Sequence, residues 1–244
     1  MTIRIAMWSG PRNLSTAVMR SFGSRTDTFV SDEPFYGCFL KHTGADHPMR
    51  AETIGAMDCD WRTVMKTLRG DPPDGSPVWY QKHMWHHMAG PVGYEDFSGF
   101  THAFLIRAPE RMIASYLRKR TSAAFEDFGL DREAEFFERE ADRLGRAPPV
   151  IDADDVLANG ALVLSKLCLA LGIRWEPKML HWEPGRRDTD GPWAPHWYGS
   201  VEKSTGFRPL DSGPVDLTDQ GRRLAERCRP YYDLLAAHRI RAGD

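Results

Sequence analysis

Eight consecutive residues near the N-terminus, Ser9-Gly10-Pro11-Arg12-Asn13-Leu14-Ser15-Thr16, bring together the groups that hold an anion. Gly10 permits a close backbone turn. Arg12 offers a planar cationic fork, and Ser15 and Thr16 offer hydroxyls on a first helical turn. The run follows an apolar stretch, Ile3 to Trp8, and precedes Ala17, Val18, Ser21 and Phe22, which with Leu14 recur at helical spacing. Strand, glycine turn and helix N-terminus in that order aim free backbone N–H groups at a phosphate or sulfate. The Walker A pattern GxxxxGK(S/T) is absent, which weakens an ordinary ATPase or kinase reading.

The remaining chemistry-bearing residues also stand where strands should end. Asp32 and Glu33 follow the short run Thr28 to Ser31, Lys82 and His83 follow Val78 to Gln81, and Arg107 follows His102 to Ile106. In open α/β sheets ligands gather beyond the carboxyl ends of the strands, so this coincidence marks one end of the sheet as the site. Glu33 and His83 are the two candidate bases. An imidazole with a pKa of about 6.5 is poised for proton transfer at neutral pH, whereas a carboxylate needs burial to reach that range. His83, His86 and His87 have a spacing that suggests zinc, but no cysteine or carboxylate completes a set within the same few turns, so no metal is expected.

Around these residues the pattern alternates. Helices are expected near Thr63 to Leu68, from Pro109 to about Arg120, from Asp131 to Leu144, from Val156 to Leu171, and from Leu217 to about His238 with Pro230 breaking or kinking it. Val150-Ile151 reads as a fifth strand. Strands alternating with helices imply a three-layer α/β/α fold with a mostly parallel central sheet. One domain over residues 1–244 is expected, with the irregular Trp- and Pro-rich span 183–214 as a lid candidate inside it. In that span Arg186, Arg187 and Lys203 could close over a phosphate, and Trp193, Trp197 or Tyr198 could stack on a base or wall an acceptor pocket.

Composition narrows the class. The 244 residues carry a formal charge of −2, which gives no global basic field for nucleic acid. The four cysteines are scattered with no CxxC pair, as in a reducing compartment. The N-terminus turns polar too early for a secretory segment, and Lys166 interrupts the most apolar helix. A cytoplasmic protein without a membrane partner is expected.

At the first loop and at Arg107 the chain resembles the sulfotransferases that use 3′-phosphoadenosine 5′-phosphosulfate (PAPS), over roughly residues 3–207. The resemblance implies an α/β/α fold of the P-loop nucleotide hydrolase type, and that Arg12, Ser15 and Thr16 take the 5′-phosphosulfate end. It also implies that Arg107 and Ser115, eight positions apart, take the 3′-phosphate. Glu33 stands where carbohydrate-type relatives place a carboxylate, and Lys82-His83 is similar to the Lys-x-His of small-molecule relatives with the lysine displaced by one. The segments SGPRNLST and WAPHWY are similar to those of bacterial sulfotransferase-like proteins, whereas the family's RKG…GDW pattern is missing. The expected activity is sulfuryl transfer from PAPS to a hydroxyl or amine of a small acceptor, without a metal. A catalytically silent protein that binds PAPS or another adenosine bisphosphate, and a divergent P-loop kinase, are the alternatives.

Overall fold

The computed structural model describes residues 2–209 and 213–243. Along them run β1 (Ile3–Ser9), α1 (Ser15–Gly23), β2 (Thr28–Asp32), α2 (Tyr36–Thr43), α3 (Arg50–Ala56), α4 (Trp61–Arg69), β3 (Val78–Met84), β4 (Thr101–Ile106) and α5 (Pro109–Leu117). Then follow α6 (Leu130–Leu144), β5 (Val150–Asp152), α7 (Ala153–Ala170), α8 (Ala194–Trp197), α9 (Asp219–Ala236) and β6 (Arg239–Ile240). Six strands form one sheet in the order β2-β3-β1-β4-β5-β6, and β2 with β3, β4 with β5 and β5 with β6 run parallel. The expected elements fall close to their positions in the sequence, except that β3 runs on to Met84, so Lys82 and His83 lie within the strand and not after it. Helices α2 and α3, the four-residue α8 within the span expected to be irregular, and the two-residue β6 are additional. Helix α9 continues through Pro230, so of the break or kink expected there the break is not made. Residues 210–212 of the 183–214 span lie outside the described residues.

The chain forms two compact units, each assembled from separate stretches: Met1–Met7, Thr16–Thr101 and Lys178–Gly206 in the first, Trp8–Ser15, His102–Pro177 and Phe207–Asp244 in the second. In the first, all seven residues of β3 are buried although three of them are Gln81, Lys82 and His83. A strand covered on both faces normally reads as a continuous apolar run, so each polar side chain here requires a partner. Alternation along the strand separates them. Tyr80, Lys82 and Met84 share one face, on which Phe22 of α1 stacks on Tyr80 with ring centroids 4.3 Å apart. Gln81 and His83 share the other; Gln81 donates to the Leu68 carbonyl at 3.1 Å, and His83 packs edge-on against Phe97.

The second unit is built on α5, α6 and α9. Met112, Ile113, Tyr116, Phe128, Leu130, Leu224 and Cys228 form one buried cluster. Trp8 meets Phe136 edge-on at 5.5 Å and donates its indole N–H to His102 Nδ1 at 3.1 Å. Asn159 interrupts α7 with non-helical dihedrals, and its Oδ1 accepts from Leu162 N at 3.2 Å, so it caps the second half as an N-terminal residue would.

Glu133 of α6 is fully buried, and neither carboxyl oxygen has a hydrogen-bond partner among the described residues. Burial raises its pKa well above the ordinary value, so the folded chain keeps a proton that the unfolded chain releases at about pH 4.3. The stability this group contributes is therefore complete below that pH and is lost as pH rises towards the folded-state pKa. Glu133→Gln removes the titration. Its melting temperature relative to the parent should climb steadily between about pH 5 and pH 9 in thermal denaturation; a constant difference would show that Glu133 is not held as the neutral acid.

Candidate functional site

In the second unit, the turn that leaves β1 carries strained backbone. A Cβ on Gly10 would lie 3.0 Å from the Phe128 carbonyl oxygen and 3.3 Å from Asn13 Nδ2, so close approach is what requires glycine there. Arg12 and Leu14 both adopt left-handed backbone, with φ of 64° and 71°. Such residues cost on the order of 1–3 kcal/mol each and persist only where neighbours over-determine them. Here Asn13 Nδ2 donates to the Leu105 carbonyl at 3.2 Å and Arg107 Nη1 donates to the Arg12 carbonyl at 3.0 Å. Left-handed backbone of this kind is what lets successive N–H groups converge in an anion nest. The N–H groups of Leu14 and Ser15 have no acceptor among the described residues.

The second sequence motif meets the first in this unit. Arg12 Nε donates to Ser115 Oγ at 3.1 Å, and Arg107, which touches the Arg12 carbonyl, also lies 3.9 Å from Asp154 Oδ1. Asp154 is engaged more closely by Arg111, at 3.1 Å. Burial pulls the Arg107 pKa below its ordinary value while Asp154 opposes the shift. Ser9, Asn13 and Ser15 are buried, and Pro11 is half-buried.

The first unit holds a separate ionic cluster. Parallel pairing sets Asp32 opposite Lys82, so their side chains leave the sheet at the same level. Lys82 Nζ donates to Asp32 Oδ1 at 2.8 Å, to Glu33 Oε1 at 2.6 Å and to the Tyr198 hydroxyl at 2.7 Å, with Thr16 Oγ1 at 3.4 Å. Tyr198 donates in turn to Asp32 Oδ2 at 2.7 Å and accepts from the Trp193 indole at 3.0 Å. Its single donor and both lone pairs are thus committed. Gly191 N donates to Asp32 Oδ2 at 3.1 Å, and a Cβ at Gly191 would overlap the Trp193 ring, 2.2 Å away.

These partners set the protonation states. Lys82 is 1 % exposed, yet the two carboxylates raise its pKa well above the ordinary value against the opposing effect of burial. Glu33 is raised to about 7, first by burial and then by the Asp32 charge, with Lys82 pulling the other way. Its backbone is left-handed, φ 44°. A carboxyl that titrates near neutrality, held by a permanent cation, can take up and release a proton at working pH.

His83, the other candidate base, lies on the opposite face of β3. It is buried against Phe35 and Phe97, with Nε2 3.3 Å from Gln81 Oε1. Lys203 is exposed on the turn after α8, whereas Trp193 and Tyr198 are buried. Sequence reading places Asp32 and Lys82 among the residues at the strand ends and Tyr198 among the possible pocket walls, but it does not join the three in one ionic cluster. An acid and a lysine at the ends of two apolar runs are its one sequence signal. Among the described residues no group of His, Cys, Asp and Glu could hold a metal ion, and no helix is long and apolar enough to cross a membrane.

A sulfotransferase-domain family model matches residues 3–239. The chain belongs to the sulfotransferase family. Solved sulfotransferases share its P-loop-like α/β fold. The sulfotransferase domain from the curacin biosynthetic pathway is 16% identical with a TM-score of 0.54, covering 94% of this chain and 98% of that one. A sulfotransferase from Alicyclobacillus acidocaldarius is 14% identical with a TM-score of 0.56, covering 98% and 97%. Among curated sequences, branched-chain-amino-acid aminotransferase-like proteins 2 and 1 of Arabidopsis thaliana are 35% and 37% identical over 96% of this chain. The chain spans only 41% and 42% of their lengths.

Lys82→Met leaves the buried Asp32 and Glu33 without their cation, a loss of about 3–5 kcal/mol. At roughly 2–4 °C per kcal/mol for a domain of this size, the melting temperature should fall by roughly 6–20 °C. A fall within about 2 °C in calorimetry would show that the cluster adds nothing net to the fold.

Proposed function

We propose that this sulfotransferase moves a sulfuryl group from PAPS to a hydroxyl or amine of a small acceptor, with Glu33 as the base. One observation carries the reading: Glu33 is a buried carboxyl at a strand end, fixed through one oxygen by Lys82 and titrating near 7. The donor fits the residues of the β1 turn. The N–H groups of Leu14 and Ser15, which have no acceptor among the described residues, two guanidiniums and the Ser115 hydroxyl supply donors and positive charge for phosphate and sulfate oxygens. Arg12, Ser15 and Thr16 are assigned the phosphosulfate end, and Arg107 with Ser115 the 3′-phosphate. When bound, the donor supplies the sulfuryl group and its phosphate leaving group. Arg12 stabilises the charge that develops on departure, and Glu33 accepts the acceptor's proton.

Glu33 is preferred to His83 because His83 is enclosed by Phe35, Phe97 and Gln81. The names of the Arabidopsis relatives raise amino-group transfer, but they describe proteins more than twice as long. A Schiff-base lysine must be readily deprotonated, and Asp32 and Glu33 hold the deeply buried Lys82 as the ammonium ion.

Thermal denaturation with 3′-phosphoadenosine 5′-phosphate, set against AMP and ATP with Mg²⁺, tests the donor class. Stabilisation by the bisphosphate alone is expected, and a larger rise with ATP and Mg²⁺ would turn the reading towards a kinase. Arg107→Ala should weaken binding of donor and bisphosphate together. Arg12→Ala should lower turnover roughly a hundred- to a thousand-fold and largely spare bisphosphate affinity in calorimetric titration; equal, modest effects on both would remove its assigned role.

Once an acceptor is in hand, kcat/KM should rise with pH through about 7 as Glu33 loses its proton. Glu33→Gln should lower the rate roughly a hundred- to ten-thousand-fold and remove that limb. An unchanged profile in Glu33→Gln excludes this residue as the base.

A further inference from the structure

His87 has no part in the scheme above, although it stands beside its central group. The ring is 2 % exposed. Its Nδ1 lies 3.7 Å from Glu33 Oε2, the carboxylate oxygen that Lys82 does not engage, since Lys82 takes Oε1. That nitrogen has no hydrogen-bond partner among the described residues. The ring is clamped in place. Tyr36 stacks on it with centroids 4.2 Å apart and planes 8° from parallel, Phe39 lies at 5.1 Å, and His86 meets it edge-on at 4.1 Å. Tyr36 is itself held, by a hydrogen bond between its hydroxyl and His47 Nδ1 at 2.8 Å and by the edge of Trp193. Two aromatic rings thus fix one buried nitrogen beside one carboxylate oxygen.

Charge decides which form of the ring can sit there. Burial drives the His87 pKa well below its ordinary value, and His86, His47, Lys82 and His83 all add to the shift. The ring is therefore neutral and carries a single N–H. On the Glu33 side, the groups that face the carboxyl are Lys82 of β3, Asp32 of β2 and Tyr198 after α8. Lys82 satisfies Oε1, and Oε2, on a side chain only 10% exposed, gains from a second donor.

We propose that His87 is a positioning residue for Glu33, in the tautomer that carries its proton on Nδ1 and closing to a hydrogen bond with Oε2 when the carboxyl is ionised. The inference rests on the reading of Glu33 as the base. A donor to the charged form favours that form, so His87 acts with Lys82 against burial and raises the ionised share of the base at neutral pH. With one donor on each oxygen, the carboxylate has a single orientation in which to meet an acceptor proton.

The experiment is a pH titration of the histidine ring ¹⁵N resonances in the unaltered protein, followed by kinetics of two variants. The His87 ring should show a protonated Nδ1 and a bare Nε2, and its shifts should step with a midpoint of about 7 as Glu33 titrates. Glu33→Gln should abolish the step. A bare Nδ1, or shifts that stay flat while Glu33 titrates, overturns the proposal and needs no variant to fold. His87→Phe keeps a ring against Tyr36 and removes the donor, so the acid limb of kcat/KM should move up by about one pH unit or more. His87→Gln, which retains a donor, should restore part of that shift. A packing role alone would lower activity and leave the limb in place. If Glu33→Gln keeps full activity, the base assignment fails, while the ring resonances still decide whether His87 hydrogen-bonds to Glu33.

Discussion

An ammonium group that is 1 % exposed has to be neutralised where it stands, and in this chain the group is Lys82, on a strand with no exposed residue. Much of the first unit is arranged to meet that demand. Asp32 must lie opposite it, which fixes the register of β2 on β3; a slip of one residue would carry Lys82 to the face occupied by Gln81 and His83. Glu33 must turn back towards it, which accounts for a left-handed backbone at a residue with a Cβ. Tyr198 must reach it from far along the chain, which ties the segment after Lys178 to the strand ends through Trp193, Gly191 and Asp32.

The same tie limits what the Trp-rich segment can do. Arg20 grips Asp190 through two hydrogen bonds of 2.5 and 2.6 Å, both partners being buried, and Tyr198 is fastened to Asp32 and Lys82. Trp193 is packed against Tyr36 and spends its N–H on Tyr198. A lid drawn from residues 183–214 would therefore have to move around these anchors. The exposed side chains Arg186 and Lys203 lie outside the anchored stretch from Asp190 to Tyr198.

The β1 turn was legible in the sequence because its signals are local. A strand, a close-approach glycine and a helix start all fall within a dozen residues, and the Arg107-to-Ser115 spacing runs from a strand end to one face of the next helix. The structure joins the two motifs through the Arg12–Ser115 and Arg107–Arg12 hydrogen bonds. The Lys82 cluster was not legible in the same way. A lysine beside a histidine at a strand end gives no sign of which face each side chain takes until the register is known, and Tyr198 is separated from Lys82 by 116 positions. Helix α2 escaped notice because Gly37 and Cys38 interrupt a short aromatic pattern, and β6 is too brief to show any alternation.

Stability and reactivity in the first unit cannot be tuned separately. Lys82 and Asp32 already balance one another, so an ionised Glu33 is the third charge in a buried set of three, and burial together with Asp32 resists it. Lys82 counters that resistance, which leaves the carboxyl poised near neutrality instead of fully ionised or fully protonated. A stronger cation environment would stabilise the cluster and make a weaker base; a weaker one would leave Glu33 protonated and the carboxylates poorly held. The ionic pairing that fixes the strand register is thus the same interaction that sets the proton affinity of the proposed base.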